Sequence, residues 1–116
     1  MSWWVSLCGE DGDPLPVEAH REGGTYDLAG CEEADLNVTY NYGPHYYSAL
    51  DAVSGIKWLR GKSGAETIER LERAVACLGV VRADNYWAET RGNAGFALSI
   101  LLAWARQHPE GIWHVH

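Results

Sequence analysis

The chain has 116 residues, among them six Trp and six Tyr, and a formal net charge of −7. Its length predicts one domain, residues 1–116, that can bury its own core. The negative charge argues against a nucleic acid or an anionic membrane as partner, since phosphate binding needs a basic surface.

The cysteines and the N-terminus indicate the compartment. Three cysteines without a CxxC pair, and an N-terminal segment without a basic signal region, predict a cytoplasmic protein with reduced thiols. No apolar run approaches the ~20 residues of a membrane-spanning helix. We therefore expect neither secretion nor membrane insertion.

The first third of the chain predicts short strands separated by turns. Ser2–Cys8 is apolar and rich in residues that favour strands. Two prolines restrict residues 15–20 to an edge strand or an extended segment, because proline cannot donate to a ladder. Residues 25–29 predict another strand and 30–35 an acidic loop. The short connections favour antiparallel pairing in a meander.

Residues 36–42 predict the next strand, in which successive side chains point to opposite faces. The apolar face, which we expect to join the core, consists of Leu36, Val38, Tyr40 and Tyr42. The polar face consists of Asn37, Thr39 and Asn41.

The following residues predict helices. Pro44 favours the first turn of a helix, and the short apolar run at residues 56–59 predicts an extended linker or another strand. Ser63 opens the helix Gly64–Leu78 with a capping-box pattern. Residues 93–107 predict the last helix, which is apolar around most of its surface and is therefore buried on more than one side.

The terminal strand Ile112–Val115 needs a partner, and pairing with Ser2–Cys8 would join both ends of the chain in one sheet. Strands first, helices next and one strand last predict an α+β fold. We expect a mostly antiparallel sheet, made of N-terminal strands plus the C-terminal strand, with two to three helices packed on one face.

The polar face of residues 36–42 and the aromatic side chains near it form the first candidate site. Amides and hydroxyls recognise neutral polar edges, such as those of a base or a ribose, and an aromatic ring offers a face for stacking. The alternative is that the asparagines cap loops or face water. The candidate ligand-binding residues are Asn37, Thr39, Asn41, Tyr42, His45 and Tyr46.

A second candidate lies before the helix Gly64–Leu78. Gly61-Lys62-Ser63 lacks the spacing of a phosphate-binding loop, so we reject nucleotide hydrolysis there. Lys62 and Arg60, together with the free N–H groups of the helix start, can still hold an anion. The favoured alternative is a solvated helix cap.

A third candidate precedes the last helix, where Trp87, Arg91 and Asn93 place a ring, a cation and an amide close together in sequence. The alternative is that Thr90 or Asn93 caps the helix. If residues 80–90 folded against the 36–42 strand, the two segments would complete a pocket.

No residue pattern is diagnostic of catalysis or of a bound cofactor. No spacing of Ser, His and Asp marks a nucleophile. His114 and His116 supply only two ligands for a metal, and residues 11–13 lack the distal Glu of a calcium loop. We therefore expect no catalytic residue, no metal and no cofactor.

Six short motifs carry a resemblance that covers nearly the whole chain. They are GGTY (23–26), LNVTYNY (36–42), GAETI (64–68), YW (86–87), GNA (92–94) and HPEG (108–111). In this order they resemble a family of short, uncharacterised proteins of bacteria and their phages. The resemblance implies a small intracellular domain of phage or prophage origin. Some small phage proteins sequester nucleotide signals of host immunity, and this analogy of size and setting favours a nucleotide-like ligand.

The leading hypothesis is a non-catalytic protein that binds a small polar ligand, such as a nucleotide-derived signal. The amides would contact base or ribose edges, an aromatic ring would stack, and Lys62 or Arg91 would contact a phosphate. The rival hypothesis is an interaction protein or homo-oligomeric inhibitor that buries exposed Tyr and Trp against another protein. A small enzyme of unknown reaction comes third.

Overall fold

The computed structural model describes residues 1–20, 31–85 and 87–116, and these have the predicted α+β architecture. The strands are β1 (Ser2–Cys8), β2 (Pro16–His20), β3 (Cys31–Glu33), β4 (Asp35–Thr39) and β5 (Ile112–Val115). The helices are α1 (Gly43–Ala49), α2 (Gly64–Leu78) and α3 (Arg91–Gln107), with 3₁₀ helices at Tyr40–Tyr42 and Gly55–Leu59. The strand predicted at 25–29 lies outside the described residues.

β1 is the middle strand of a three-stranded antiparallel sheet with the order β4-β1-β5. Its register places Trp3 opposite Val38 of β4 and Leu7 opposite Trp113 of β5. The predicted pairing of the two chain ends is confirmed.

The predicted meander is wrong, because β2 does not pair with β1. It pairs with β3 in a separate two-stranded sheet, and β3 lies within the segment predicted as an acidic loop. Pro14 lies between β1 and β2 and Pro16 begins β2, and neither has the N–H group that a continuous ladder would need. The chain therefore leaves the main sheet there and returns to it at β4.

The strand predicted over 36–42 ends three residues early. Thr39 Oγ1 accepts a hydrogen bond from the backbone N–H of Asn41 (3.2 Å), and this bond starts the 3₁₀ helix Tyr40–Tyr42. The alternation of faces stops at this point. Tyr40, which we expected in the core, is consequently 43 % exposed, whereas Tyr42 is fully buried.

Side-chain caps fix the starts of the two long helices. Ser63 and Glu66 form the predicted capping box, each accepting a hydrogen bond from the other's backbone N–H. Thr90 Oγ1 accepts from Asn93 N, so α3 begins at Arg91, two residues before its predicted start.

α2 and α3 pack side by side in opposite directions. Gly64 at the start of α2 lies against Ala105 near the end of α3, whereas Gly95 in the first half of α3 lies against the end of α2. α3 is buried on more than one side, as predicted. None of the helices in the described ranges has the length and hydropathy that crossing a bilayer demands.

The core lies between the helices and one face of the sheet. Residues 56–59, predicted to be extended, belong to a 3₁₀ helix that buries Ile56 and Leu59 there. Trp113 of β5 is 1 % exposed, and its indole Nε1 donates a hydrogen bond to Thr67 Oγ1 of α2 (2.9 Å). This bond joins the sheet to α2 inside the core.

We predict that Thr67→Val lowers the free energy of unfolding by about 1–3 kcal/mol, because a nearly isosteric methyl group leaves the buried indole N–H of Trp113 without an acceptor and removes the bond that Thr67 Oγ1 donates to the carbonyl of Gly64 (2.8 Å). Urea unfolding followed by circular dichroism measures the loss. Thr67→Ser keeps the hydroxyl and should lose less. A Val variant as stable as the native chain would show that the bond contributes nothing.

Candidate functional site

The loop between α2 and α3 lies against the segment that follows β4 through Trp87 and Glu89. Asn41 donates from its side-chain Nδ2 to the backbone carbonyl of Trp87 (2.9 Å). His45 Nε2 lies 3.4 Å from Glu89 Oε1, within ion-pair distance but without hydrogen-bond geometry. We call the patch formed by Tyr40, Asn41, His45, Trp87 and Glu89 the amide–aromatic surface.

Both large aromatic side chains of the amide–aromatic surface remain substantially exposed. Tyr40 is 43 % and Trp87 46 % exposed. The ring of Tyr40 packs edge-on against Trp3, with the two ring centroids 4.6 Å apart. Asn41 follows Tyr40 in the chain and is bonded to Trp87, so an amide lies between two aromatic residues. Its Nδ2 contacts the loop, which leaves Oδ1 as the acceptor at the surface.

Asn93 holds the loop in this position. Its side chain is 97 % buried: Oδ1 accepts from Ala83 N (2.9 Å), and Nδ2 donates to the carbonyls of Asn85 (3.1 Å) and Ala88 (2.9 Å). Asn93 was predicted to bind a ligand, but its amide contacts are made to the loop's own backbone. Asn93 therefore supports the amide–aromatic surface by holding the backbone of its loop.

Two glycines bring the chain after α2 close to α3. A Cβ at Gly92 would lie 1.7 Å from the carbonyl oxygen of Val81, and one at Gly95 would lie 1.8 Å from that of Gly79. Only glycine leaves room for these backbone contacts. The segment Thr90–Gly95 therefore has three functions. It caps α3, its glycines allow the backbone of residues 79–81 to approach closely, and Asn93 holds the loop that carries Trp87.

Tyr42 and Tyr46, also predicted to contact a ligand, lie in the core. Both are fully buried, with ring centroids 6.3 Å apart. The hydroxyl of Tyr46 donates to the carbonyl of Ala94 (3.1 Å), which joins α1 to α3 beneath the loop. Burial raises the pKa of Tyr46 well above its ordinary value, so this phenol stays neutral and keeps its donor proton.

The predicted row of amides is divided by the turn at Thr39. Asn37 and Thr39 are each 2 % exposed, whereas Asn41 is exposed. Asn37 Nδ2 donates to Ser2 Oγ (2.8 Å), and its Oδ1 is buried without a hydrogen-bond partner among the described residues. The three side chains therefore do not face one common space.

Lys62 and Arg91 lie at opposite ends of α2. Lys62 donates from Nζ to the carbonyl of Trp58 (2.7 Å) and lies 4.6 Å from the centroid of that indole ring. Arg91 donates to the carbonyl of Cys77 in the last turn of α2 (2.7 Å). Since α2 has 15 residues, roughly 22 Å of helix separates the two contacts. They cannot bind one phosphate together.

The sequence did not predict that Tyr40 and Glu89 would belong to the amide–aromatic surface. Tyr40 was assigned to the core by strand alternation. Glu89 precedes the cap Thr90, and only its place in a loop with Trp87 could have suggested an exposed carboxylate near the aromatic cluster.

An open depression of about 520 Å³ lies elsewhere, where the outer edge of β5 meets Arg60 and Gly61. The guanidinium of Arg60 donates to the carbonyl of Val115, and the rings of His114 and His116 are 6.2 Å apart. Within the described residues no third His, Cys, Asp or Glu joins these two histidines in a metal-binding group. None of the residues of the amide–aromatic surface lines this depression.

Comparisons with protein families, with curated proteins and with solved structures found no match to this chain. What the amide–aromatic surface does is therefore inferred from its own chemistry.

Proposed function

We propose that the protein acts by binding another protein through the amide–aromatic surface. The observation that carries this proposal is that Tyr40 and Trp87 remain 43 % and 46 % exposed although the loop between α2 and α3 is firmly bonded. Tyrosine and tryptophan are enriched where proteins bind each other and dominate the binding energy there.

The shape of the site favours a protein over a small molecule. Small-molecule sites are concave and enclose most of their ligand, whereas the depression at β5 contains none of the surface's residues. A surface that is held rigid also loses little conformational entropy on binding, which favours affinity. The bonds of Asn41 and Asn93 supply this rigidity.

The test compares two matched double variants. Tyr40→Ala/Trp87→Ala removes both rings of the surface. Tyr47→Ala/Trp4→Ala removes a similar pair elsewhere, since those side chains are 48 % and 40 % exposed. Partners are captured from a bacterial lysate and identified, and their affinity for each purified variant is measured by calorimetry.

We expect the surface variant to lose the partner and the control variant to retain it. Equal binding by both would contradict the proposal. Light scattering on the same proteins shows whether the partner is a second copy of the chain, in which case only the surface variant becomes a monomer.

A small planar ligand is the second candidate, and the amide of Asn41 favours it. Its Oδ1 can accept a hydrogen bond from a base edge while Tyr40 or Trp87 stacks on the ring. The basic residues predicted to contact a phosphate are bonded elsewhere, so a base or nucleoside suits this surface better than a nucleotide. A thermal-shift screen tests the candidate: a base or nucleoside should stabilise the native chain and not Trp87→Ala, and no shift with any of them would exclude it.

A further inference from the structure

We infer that the partner of the amide–aromatic surface presents arginine side chains to it, an inference that rests on the proposed function and names the partner's chemistry. The first ground is the charge of the two segments that form the surface. Residues 40–49 contain no Asp, Glu, Lys or Arg, and residues 83–90 contain Asp84 and Glu89 but no Lys or Arg.

The flanking Arg82 and Arg91 balance these two acids in formal charge, but both guanidinium groups are held by contacts within the chain. Arg82 lies over the ring of Phe96, with its guanidinium carbon 4.8 Å from the ring centroid. Arg91 is bonded to the end of α2. The chain as a whole carries −7, so its long-range field attracts a basic partner, and the exposed carboxylate of Glu89 is the acidic group that the surface itself offers.

The second ground is the type of group that the surface offers. The carboxylate of Glu89 is 55 % exposed, and its Oε1 is positioned 3.4 Å from His45 Nε2. Asn41 adds an amide oxygen, and Tyr40 and Trp87 add aromatic rings. The surface thus combines hydrogen-bond acceptors with rings.

A guanidinium matches this combination better than an ammonium group does. It is planar, stacks on an aromatic face and donates two parallel hydrogen bonds to a carboxylate. The ammonium group of lysine is more strongly hydrated and cannot form the two-bond fork. Arginine and lysine carry the same charge, so charge alone would not distinguish them. A preference for arginine would therefore come from the aromatic rings and the carboxylate of the surface.

The experiment measures fluorescence anisotropy of two labelled octapeptides, one alternating Arg and Ser and the other Lys and Ser. We expect the native chain to bind the Arg peptide about tenfold more tightly than the Lys peptide, a difference of about 1.4 kcal/mol. Glu89→Gln and Trp87→Ala should each remove most of that preference. Glu69→Gln is the control, because Glu69 is an exposed acid on α2 that pairs with Arg73.

Equal affinities for the two peptides, or equal weakening by Glu69→Gln and Glu89→Gln, would overturn the inference, because binding would then reflect net charge alone.

The failure of the arginine inference and the failure of the proposed function give different results. If the captured partner requires Tyr40 and Trp87 but binds Glu89→Gln unchanged, the arginine inference is wrong and the proposed function stands. If the partner binds the Tyr40→Ala/Trp87→Ala variant unchanged, the proposed function itself fails.

Discussion

We expect Gly95→Ala to lower the free energy of unfolding by about 3 kcal/mol or more, the upper range for overpacking. Alanine normally favours a helix over glycine by about 1 kcal/mol, so helix propensity alone predicts the opposite sign. We expect the steric clash to outweigh this gain in helix propensity. The added Cβ would lie 1.8 Å from the carbonyl oxygen of Gly79, and backbone cannot rotate aside as a side chain can. α2 and α3 would have to separate.

Gly43→Ala is the matched control, since it also introduces alanine at a buried helical glycine. The new Cβ would lie 3.4 Å from the indole of Trp3, an ordinary contact. Its unfolding free energy should stay within about 1 kcal/mol of the native value. Urea unfolding of both variants measures the difference, and equal stability of Gly95→Ala and Gly43→Ala would show that the close approach of α2 and α3 is not needed.

The second large effect is expected for Asn93→Ala, which removes three hydrogen bonds to the loop. At roughly 1 kcal/mol for each bond, the unfolding free energy should fall by about 3 kcal/mol, and Tm by roughly 10 °C. Because these bonds hold the backbone of Ala83, Asn85 and Ala88, hydrogen exchange of the loop should also rise well before global unfolding.

Asn85→Ala separates these bonds from the general effect of removing an amide. The exposed side chain of Asn85 accepts one hydrogen bond, from Trp87 N (3.0 Å). Its loss should cost about 1 kcal/mol or less. If Asn93→Ala behaved like Asn85→Ala in both Tm and hydrogen exchange, Asn93 would not be the residue that holds the loop.

The fold was predictable where one local signal determined the structure. Three kinds of signal act within a few residues: the capping residues Ser63 and Thr90, the proline at the start of α1 and the strand-favouring residues of β1. The partners of each strand were harder to predict. The pairing of β1 with β5 was predicted because a terminal strand needs a partner, but that β4 lies on the other side of β1 depends on long-range packing, and no neighbouring residue specifies it.

The sequence indicated which two segments could come together better than it indicated which of their side chains would be exposed there. The sequence placed Asn41, His45 and Trp87 in two separate segments, and the structure brings these segments together. It could not show that Thr39 would end β4 with its own hydroxyl, which turns Tyr40 outward and divides the amides. Nor could it show that Asn93 and Arg91 bond to the protein's own backbone, because residues of these types are equally suited to ligands and to helix ends.

The most direct test of the binding surface is a nuclear magnetic resonance titration of the ¹⁵N-labelled chain with the purified captured partner. Two side-chain signals report on the surface itself: the amide NH₂ of Asn41 and the indole N–H of Trp87. Both should shift or broaden on binding, while the buried indole of Trp113, bonded to Thr67, stays unchanged. Unchanged signals of Asn41 and Trp87 in a saturated complex, with shifts confined to β5 and the depression beside it, would contradict the account.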